Sequence, residues 1–173
     1  NLARRASRVR VFEVGRVFRR DARVSDSGTT VAGVDQPLRL GALAFGPAVQ
    51  AQWGQKERAV DFFDLKGDIE ALLAPRALRF VPAKHPAMHP GRCARIELDG
   101  VGIGFAGELH PKWRQAYELP ASPMLFEIDA AALAPRGLPV YAAVQRQQSV
   151  WRDLSVIAGE AVTHEALMQA IAG

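Results

Sequence analysis

The chain has one cysteine, Cys93, in 173 residues. No internal disulfide can form, and no Cys or His stands beside that thiol at zinc-ligand spacing. No apolar run approaches the roughly 20 residues that span a bilayer. The basic opening, Asn1 to Val11, is not followed by an apolar signal core, so nothing in it directs export. There is no internal repeat and no low-complexity tract, which excludes a repeat architecture or a disordered tail of biased composition. The expectation from these absences is a globular chain in a reducing, cytoplasmic compartment with no membrane partner.

What is present is enough apolar material for a core. Hydrophobic residues make up 49% of the chain, sufficient for one medium domain or one domain plus a fragment. The net charge of +4 is compatible with a nucleic-acid partner. Much of the positive charge lies early, at Arg4, Arg5, Arg8, Arg10, Arg16, Arg19, Arg20 and Arg23. The competing reading is local: alternation through Arg8-Val9-Arg10-Val11 predicts a strand whose arginines form the solvated face while the valines point inward.

Segments at 8–18, 39–45, 78–81, 93–98, 101–107 and 124–128 read as strands of a mainly antiparallel sheet. Asp99-Gly100 separates two of them, and both residue types tolerate the positive φ that a two-residue hairpin loop requires. Two helices are expected to pack on the sheet. One spans Asp61 to Leu73, with Phe62, Leu65, Ile69 and Leu72 on one face; the other spans Pro111 to Leu119, where Pro suits a first turn. The polar stretch Asp21 to Gln36 reads as a loop between two antiparallel strands.

The most informative stretch is Phe12-Glu13-Val14-Gly15-Arg16-Val17-Phe18-Arg19-Arg20-Asp21, a strand running into a basic turn. It resembles the first half of motif 2 of class II aminoacyl-tRNA synthetases. That resemblance implies an Arg at the strand end, here Arg19, on the nucleotide α-phosphate, and an acid two places on, here Asp21, positioning ATP. Three further segments follow in order: Val60 to Glu70, His89-Pro90-Gly91-Arg92-Cys93-Ala94, and Ile103 to Pro111. Together they resemble the β subunit of bacterial phenylalanyl-tRNA synthetase over nearly the whole chain. The fold implied is α+β: a class II synthetase-like antiparallel sheet with flanking helices, forming the catalytic-like module of a non-catalytic subunit.

A boundary is expected at Pro135 to Pro139, giving a catalytic-like module over 1–139 and a second segment over 140–173. Beyond the boundary come a new strand, Arg146, the stretch Ser149 to Ile157 with Arg152, and a helix from Thr163, its N-cap, to Ile171. This resembles the opening of the family's ferredoxin-like anticodon-binding domain, with Gln148 where the family usually has Pro and Trp151 where it usually has Arg. Arg146 and Arg152 are the candidate contacts to tRNA phosphate. One strand and one helix cannot complete a βαββαβ domain, so that segment is expected to be incomplete. The chain also opens without Met, already in a basic segment, and reads as a fragment of a longer polypeptide.

Catalysis by this chain alone is not expected. The return strand, Gln36 to Gly46, offers Pro37, Arg39, Gly41, Ala42 and Ala44 where a working motif 2 brings an aromatic and an acid or Gln. No Gly-rich strand ends in an Arg that starts a helix, so motif 3 is missing. Gly102-Ile103-Gly104-Phe105-Ala106-Gly107 matches GxGxxG, but on the second strand of a hairpin it cannot place a helix N-terminus at a pyrophosphate. Its glycines are expected to permit close packing or a bulge. His85, His89 and His110, each followed by Pro, read as loop histidines rather than as a metal set with Glu108 and Asp99. Asp61, Asp64 and Asp68 share a helix face and read as favourable charge near the helix start and as candidate subunit contacts.

The resemblance implies an architectural role beside an α subunit, in an α2β2 enzyme that uses ATP, magnesium, phenylalanine and its tRNA. No cofactor is expected on this fragment, since the acidic cluster associated with magnesium belongs upstream. The alternative is a stand-alone adenylate-forming or nucleotide-binding protein built on Arg19 and Asp21.

Overall fold

A computed structural model describes residues 6–28, 30–134, 141, 148 and 150–172. Two compact units emerge, Asn1–Gly137 and Leu138–Gly173. In chain order the larger contains β1 (Val9–Arg16), β2 (Arg19–Arg20), β3 (Val34–Asp35), β4 (Leu38–Phe45), α1 (Phe62–Leu73), β5 (Leu78–Pro82), β6 (Met88–Leu98), β7 (Val101–Leu109), α2 (Pro111–Ala116) and β8 (Met124–Asp129). A 3-10 turn, Ala130–Leu133, follows β8. Six strands form one antiparallel sheet in the order β1-β4-β8-β7-β6-β5, and β2 with β3 makes a separate two-stranded arm. This is the expected α+β architecture with an antiparallel sheet.

The β6–β7 hairpin turns at Asp99 and Gly100, whose φ angles of 52° and 78° are the pair of positive values that a two-residue loop needs. Directly paired residues share a sheet face, so Leu40, Phe126, Ile128, Ala106 and Ile96 line up beneath α1. Leu65, Ile69 and Leu73 of α1 are buried against them. Each such aliphatic side chain removed from water contributes about 1.5–3 kcal/mol.

A closed set of bonds starts α1. The Asp61 carboxylate accepts from the backbone N–H groups of Phe63 (2.8 Å) and Asp64 (3.0 Å), while Asp64 accepts in return from the Asp61 N–H (2.9 Å). Arg58 then grips Asp64 through two bonds of 2.6 Å. The helix stops at Leu73 because Pro75 drives Ala74 out of helical geometry, to ψ 145°.

Two expectations are corrected in this unit. Arg8 and Arg10 do not form the solvated face of β1. Arg8 Nε donates to the Pro47 carbonyl (3.2 Å), while Arg10 donates to the Ala48 carbonyl (3.1 Å) and to Asp68 (3.1 Å). The Arg10 side chain is 27% exposed and Val11 is 47% exposed, the reverse of the predicted alternation. The arginine stems lie along the protein and their heads find carbonyls some forty residues away, an outcome that local periodicity does not encode. The second helix is shorter than predicted and buries no side chain. It ends where Glu118 turns to φ 51°, and Arg114 binds the carbonyls of Leu119 and Pro120.

The smaller unit contains α3 (His164–Ala172), and the Thr163 hydroxyl accepts from the Ala166 N–H at 3.2 Å as its cap. The strand expected just after Pro139 lies outside the described residues, as does Arg146. Residues 150–158 carry no strand, and Trp151 and Ile157 are fully exposed.

The clamp on α1 has a pH signature. Arg58, by its hydrogen bonds, holds the Asp64 carboxyl down to about 2 from its ordinary 3.8. A carboxyl lowered in the folded state contributes stability that is full above pH 4 and fades as the pH falls from about 4 toward 2. Asp64→Asn should flatten that acid limb of the urea midpoint against pH. An unchanged slope in the variant would show that the clamp contributes nothing.

Candidate functional site

The turn predicted to hold nucleotide charge is the β2–β3 arm. Backbone bonds close it, with the Val17 N–H donating to Pro37 (3.1 Å) and the Asp21 N–H to Gly33 (3.0 Å). Arg19 lies directly across from Asp35, and their side chains meet at 2.5 Å. Arg23 binds both carboxylate oxygens of Asp21, Nε at 2.9 Å and Nη2 at 2.7 Å, and its own N–H adds a third bond at 3.0 Å. Arg23 holds the Asp21 carboxyl below its ordinary value, first through this side-chain bonding; Arg19 contributes least of the causes. Each of the two candidate residues is bonded to a different neighbour on the arm.

Leu40, Ala42 and Ala44 of β4 face α1, while Arg39, Gly41, Leu43 and Phe45 alternate on the other face. Arg39 sits between Gly15 and Asp129, and its Nε is buried without a hydrogen-bond partner among the described residues. Its position in the return strand was legible, but not its lack of a partner. At the end of β8 the Asp129 carboxylate caps the 3-10 turn through the Ala131 N–H (3.0 Å). No arginine stands at that strand end.

The GxGxxG stretch lies wholly within β7, as the hairpin reading requires. Ile96 pairs with Gly104 and Glu97 with Gly102, leaving Ile103 as a bulge whose side chain enters the core. A Cβ on Gly104 would run into the Glu127 carbonyl and stand 2.7 Å from the Ile128 Cα. One on Gly107 would strike the Arg92 carbonyl. These glycines let three strand backbones approach one another.

The three histidines serve the backbone. His85 Nδ1 accepts from the Ala87 N–H (3.3 Å), His89 Nδ1 from Gly91 (3.1 Å) and His110 Nδ1 from Lys112 (3.0 Å). Each bond spans the proline that follows the histidine. They are not all loop residues as predicted: His89 lies in β6 and His110 caps α2. Burial pushes the Cys93 thiol up, and it contacts the Met88 sulfur at 3.5 Å. Asp68, read as a candidate subunit contact, is bonded to Arg10.

Two apolar clefts stand out among the described residues. One, about 550 Å³, opens between the start of α1 and the sheet, lined by Phe62, Phe63, Phe80 and Met124, with the Arg92–Glu108 ion pair (2.5 Å) at its rim. The other, about 440 Å³, lies between α1 and β1, lined by Phe12, Val14, Leu65, Leu72 and Leu133.

Comparison with known proteins shows the family. The family described as "Phenylalanyl tRNA synthetase beta chain CLM domain" matches residues 1–130. The chain belongs to that family. Its match takes in β1 to β8, α1 and α2. Relatives extend it across the smaller unit. The chain is 54% identical over 170 residues to a phenylalanine–tRNA ligase beta subunit of Ralstonia nicotianae, covering 98% of this chain and 21% of the relative. It is 57% identical over 167 residues to that of Burkholderia lata, covering 96% and 21%. It is 50% identical over 174 residues to that of Bordetella parapertussis, covering 99% and 22%. The chain spans about a fifth of the length of the curated relatives it matches.

If the β7 glycines serve close packing, substitutions there should differ sharply. Gly104→Ala should lower stability by about 1–3 kcal/mol or more, because the obstructing atoms are backbone. Gly102→Ala meets only the flexible Arg95 side chain at 3.3 Å and should cost far less. Urea denaturation of the two variants tests this, and equal midpoints would refute it.

Proposed function

We propose that this chain is a non-catalytic structural module of a phenylalanyl-tRNA synthetase β subunit, with a class II synthetase-like sheet over 1–139 and the start of an anticodon-binding domain over 140–173. It supports the α subunit of an α2β2 enzyme that joins phenylalanine to its tRNA in the cytoplasm, with ATP and magnesium used by the complete assembly. The observation that carries this reading is the internal neutralisation of the arm. Arg19 is bonded to Asp35 and Asp21 to Arg23, so the residues at the two nucleotide positions do not fit a nucleotide phosphate as they stand. No step of adenylate formation is derived through them.

Several features support the architectural role. In place of groups that would bind adenine, β4 presents Gly41, Ala42 and Ala44, and β8 ends in an aspartate cap where a catalytic strand would present an arginine. The named relatives are subunits of a ligase, which makes a division of labour between chains the natural setting for such a module. The alternative, a stand-alone adenylate-forming or nucleotide-binding protein, would require Arg19 to share its guanidinium between Asp35 and a phosphate. Arg152 is exposed and available to a phosphate, and it joins Arg146 as a proposed contact to the tRNA backbone.

The direct test is ATP–pyrophosphate exchange with phenylalanine. The isolated chain is expected to show only background, unchanged by Arg19→Ala. Phenylalanine-dependent exchange that disappears with Arg19→Ala would establish the alternative.

Binding of tRNA by the isolated chain is expected to be weak, equal for cognate and noncognate species, and sensitive to salt. Two phosphate contacts correspond to a slope of about −1.4 to −1.8 in log affinity against log salt. Filter binding across a salt series measures it, and strong cognate preference at physiological salt would mean that the module itself reads tRNA.

A further inference from the structure

The ladder between β6 and β7 breaks at one place near its far end. Met88 pairs with Leu109 and Cys93 with Gly107, so the four residues His89 to Arg92 stand against Glu108 alone. An interruption of this kind re-aims the side chains beside it. Here it sets Arg92 against Glu108 at the rim of the cleft of about 550 Å³ between the start of α1 and the sheet. The Glu108 side chain is only 12% exposed, yet among the described residues its carboxylate accepts a single bond, at Oε2 from Arg92 Nη1. Oε1 accepts none there, and the other guanidinium N–H groups of Arg92 donate to nothing.

The wall of the cleft is aromatic. Phe62 meets Phe63 and Phe80 edge to face, with ring centroids 6.0 Å apart in both pairs. Phe63 nevertheless remains 75% exposed. The volume lies within the roughly 300–1,000 Å³ of pockets that hold small molecules. An aromatic or branched aliphatic group laid against these rings would take apolar surface out of water on both sides.

The rim decides what charge such a group carries. A lone carboxylate gains from Arg92 but is repelled by Glu108, and a lone amine gains from Glu108 but is repelled by Arg92. A molecule with both charges on adjacent atoms meets neither conflict. Its carboxylate can take the unused N–H groups of Arg92 while its ammonium donates to Glu108 Oε1. Asp61, the other acid on the lining, has its carboxylate committed to the N–H groups that open α1. The interior of a polypeptide has no free ammonium beside a carboxylate, so a docked protein segment could not answer both rim charges.

We propose that this cleft binds a free α-amino acid with an apolar side chain, its ammonium on Glu108, its carboxylate on Arg92 and its side chain against Phe62, Phe63 and Phe80. The site lies wholly on this chain and needs neither nucleotide nor tRNA, so it stands apart from the architectural reading.

Titration of the ¹⁵N-labelled chain with L-leucine and with L-phenylalanine, followed by amide chemical shifts, tests this. The shifts should saturate and should cluster at Phe62, Phe63, Arg92 and Glu108. N-acetyl-L-phenylalanine and L-phenylalaninamide each lack one charge and should bind more weakly by about tenfold or more, the measure of one charge-assisted hydrogen bond. Glu108→Gln should weaken the free amino acids to the same extent while improving N-acetyl-L-phenylalanine, whose repulsion it removes. Phe63→Ala, at an exposed position, should keep the urea midpoint of the parent chain and weaken all four compounds. Equal affinity for free and blocked compounds would make the cleft a plain apolar groove and overturn the proposal. Shifts that scatter over the chain without saturating, or affinity that survives Phe63→Ala, would also overturn it. Because the titration contains no ATP, pyrophosphate exchange by the chain would refute the architectural role without touching this result.

Discussion

The row Leu65, Ile69 and Leu73 on α1 is the contact from which the larger unit takes its order. A single helix face meets Leu40 of β4, Phe126 and Ile128 of β8, Ala106 of β7 and Ile96 of β6, so one apolar stripe fixes the relative placement of four strands. The stripe can make that contact only because the sheet beneath it is tightly drawn together at Gly104 and Gly107. A broader spacing there would lift β8 away from β7 and leave the helix on an uneven floor. The capping box and Arg58 determine where α1 begins, and hence which of its residues fall on the buried stripe. Local charge at the helix start and close backbone approach in the sheet thus serve the same burial.

The β2–β3 arm satisfies its charges internally, Arg19 with Asp35 and Asp21 with Arg23. A guanidinium with a carboxylate partner meets any further anion with part of its charge already offset. The same economy appears at the histidines, whose ring nitrogens close the turns around Pro86, Pro90 and Pro111.

Features governed by neighbours in sequence were legible. Asp99-Gly100 encodes its turn in two residues, and the Asp61 cap together with the spacing of Leu65 and Ile69 encodes α1. The family resemblance and the packing role of the β7 glycines could also be read from ordered residues. Features governed by distant partners could not. Arg8 and Arg10 looked like solvated residues because their carbonyl acceptors at Pro47 and Ala48 and the carboxylate of Asp68 lie far along the chain. The ion pair of Arg19 with Asp35 depends on the register of a two-residue ladder that composition does not specify. The second helix was drawn too long because nothing in Tyr117-Glu118 announces a left-handed residue.

Strand β8 gives the sheet an order of assembly. It is the last of the six strands in sequence, yet it lies in the interior between β4 and β7. Until it arrives, β1 with β4 and β7 with β6 and β5 are two separate ribbons with no shared hydrogen bond. During synthesis the ribbons must wait, half covered, for Met124–Asp129 to leave the ribosome and close the gap between them. A message cut short before β8 would therefore yield two exposed edges at the centre of the sheet rather than a smaller version of it. Such a product is the kind of species that chaperones and proteases act upon.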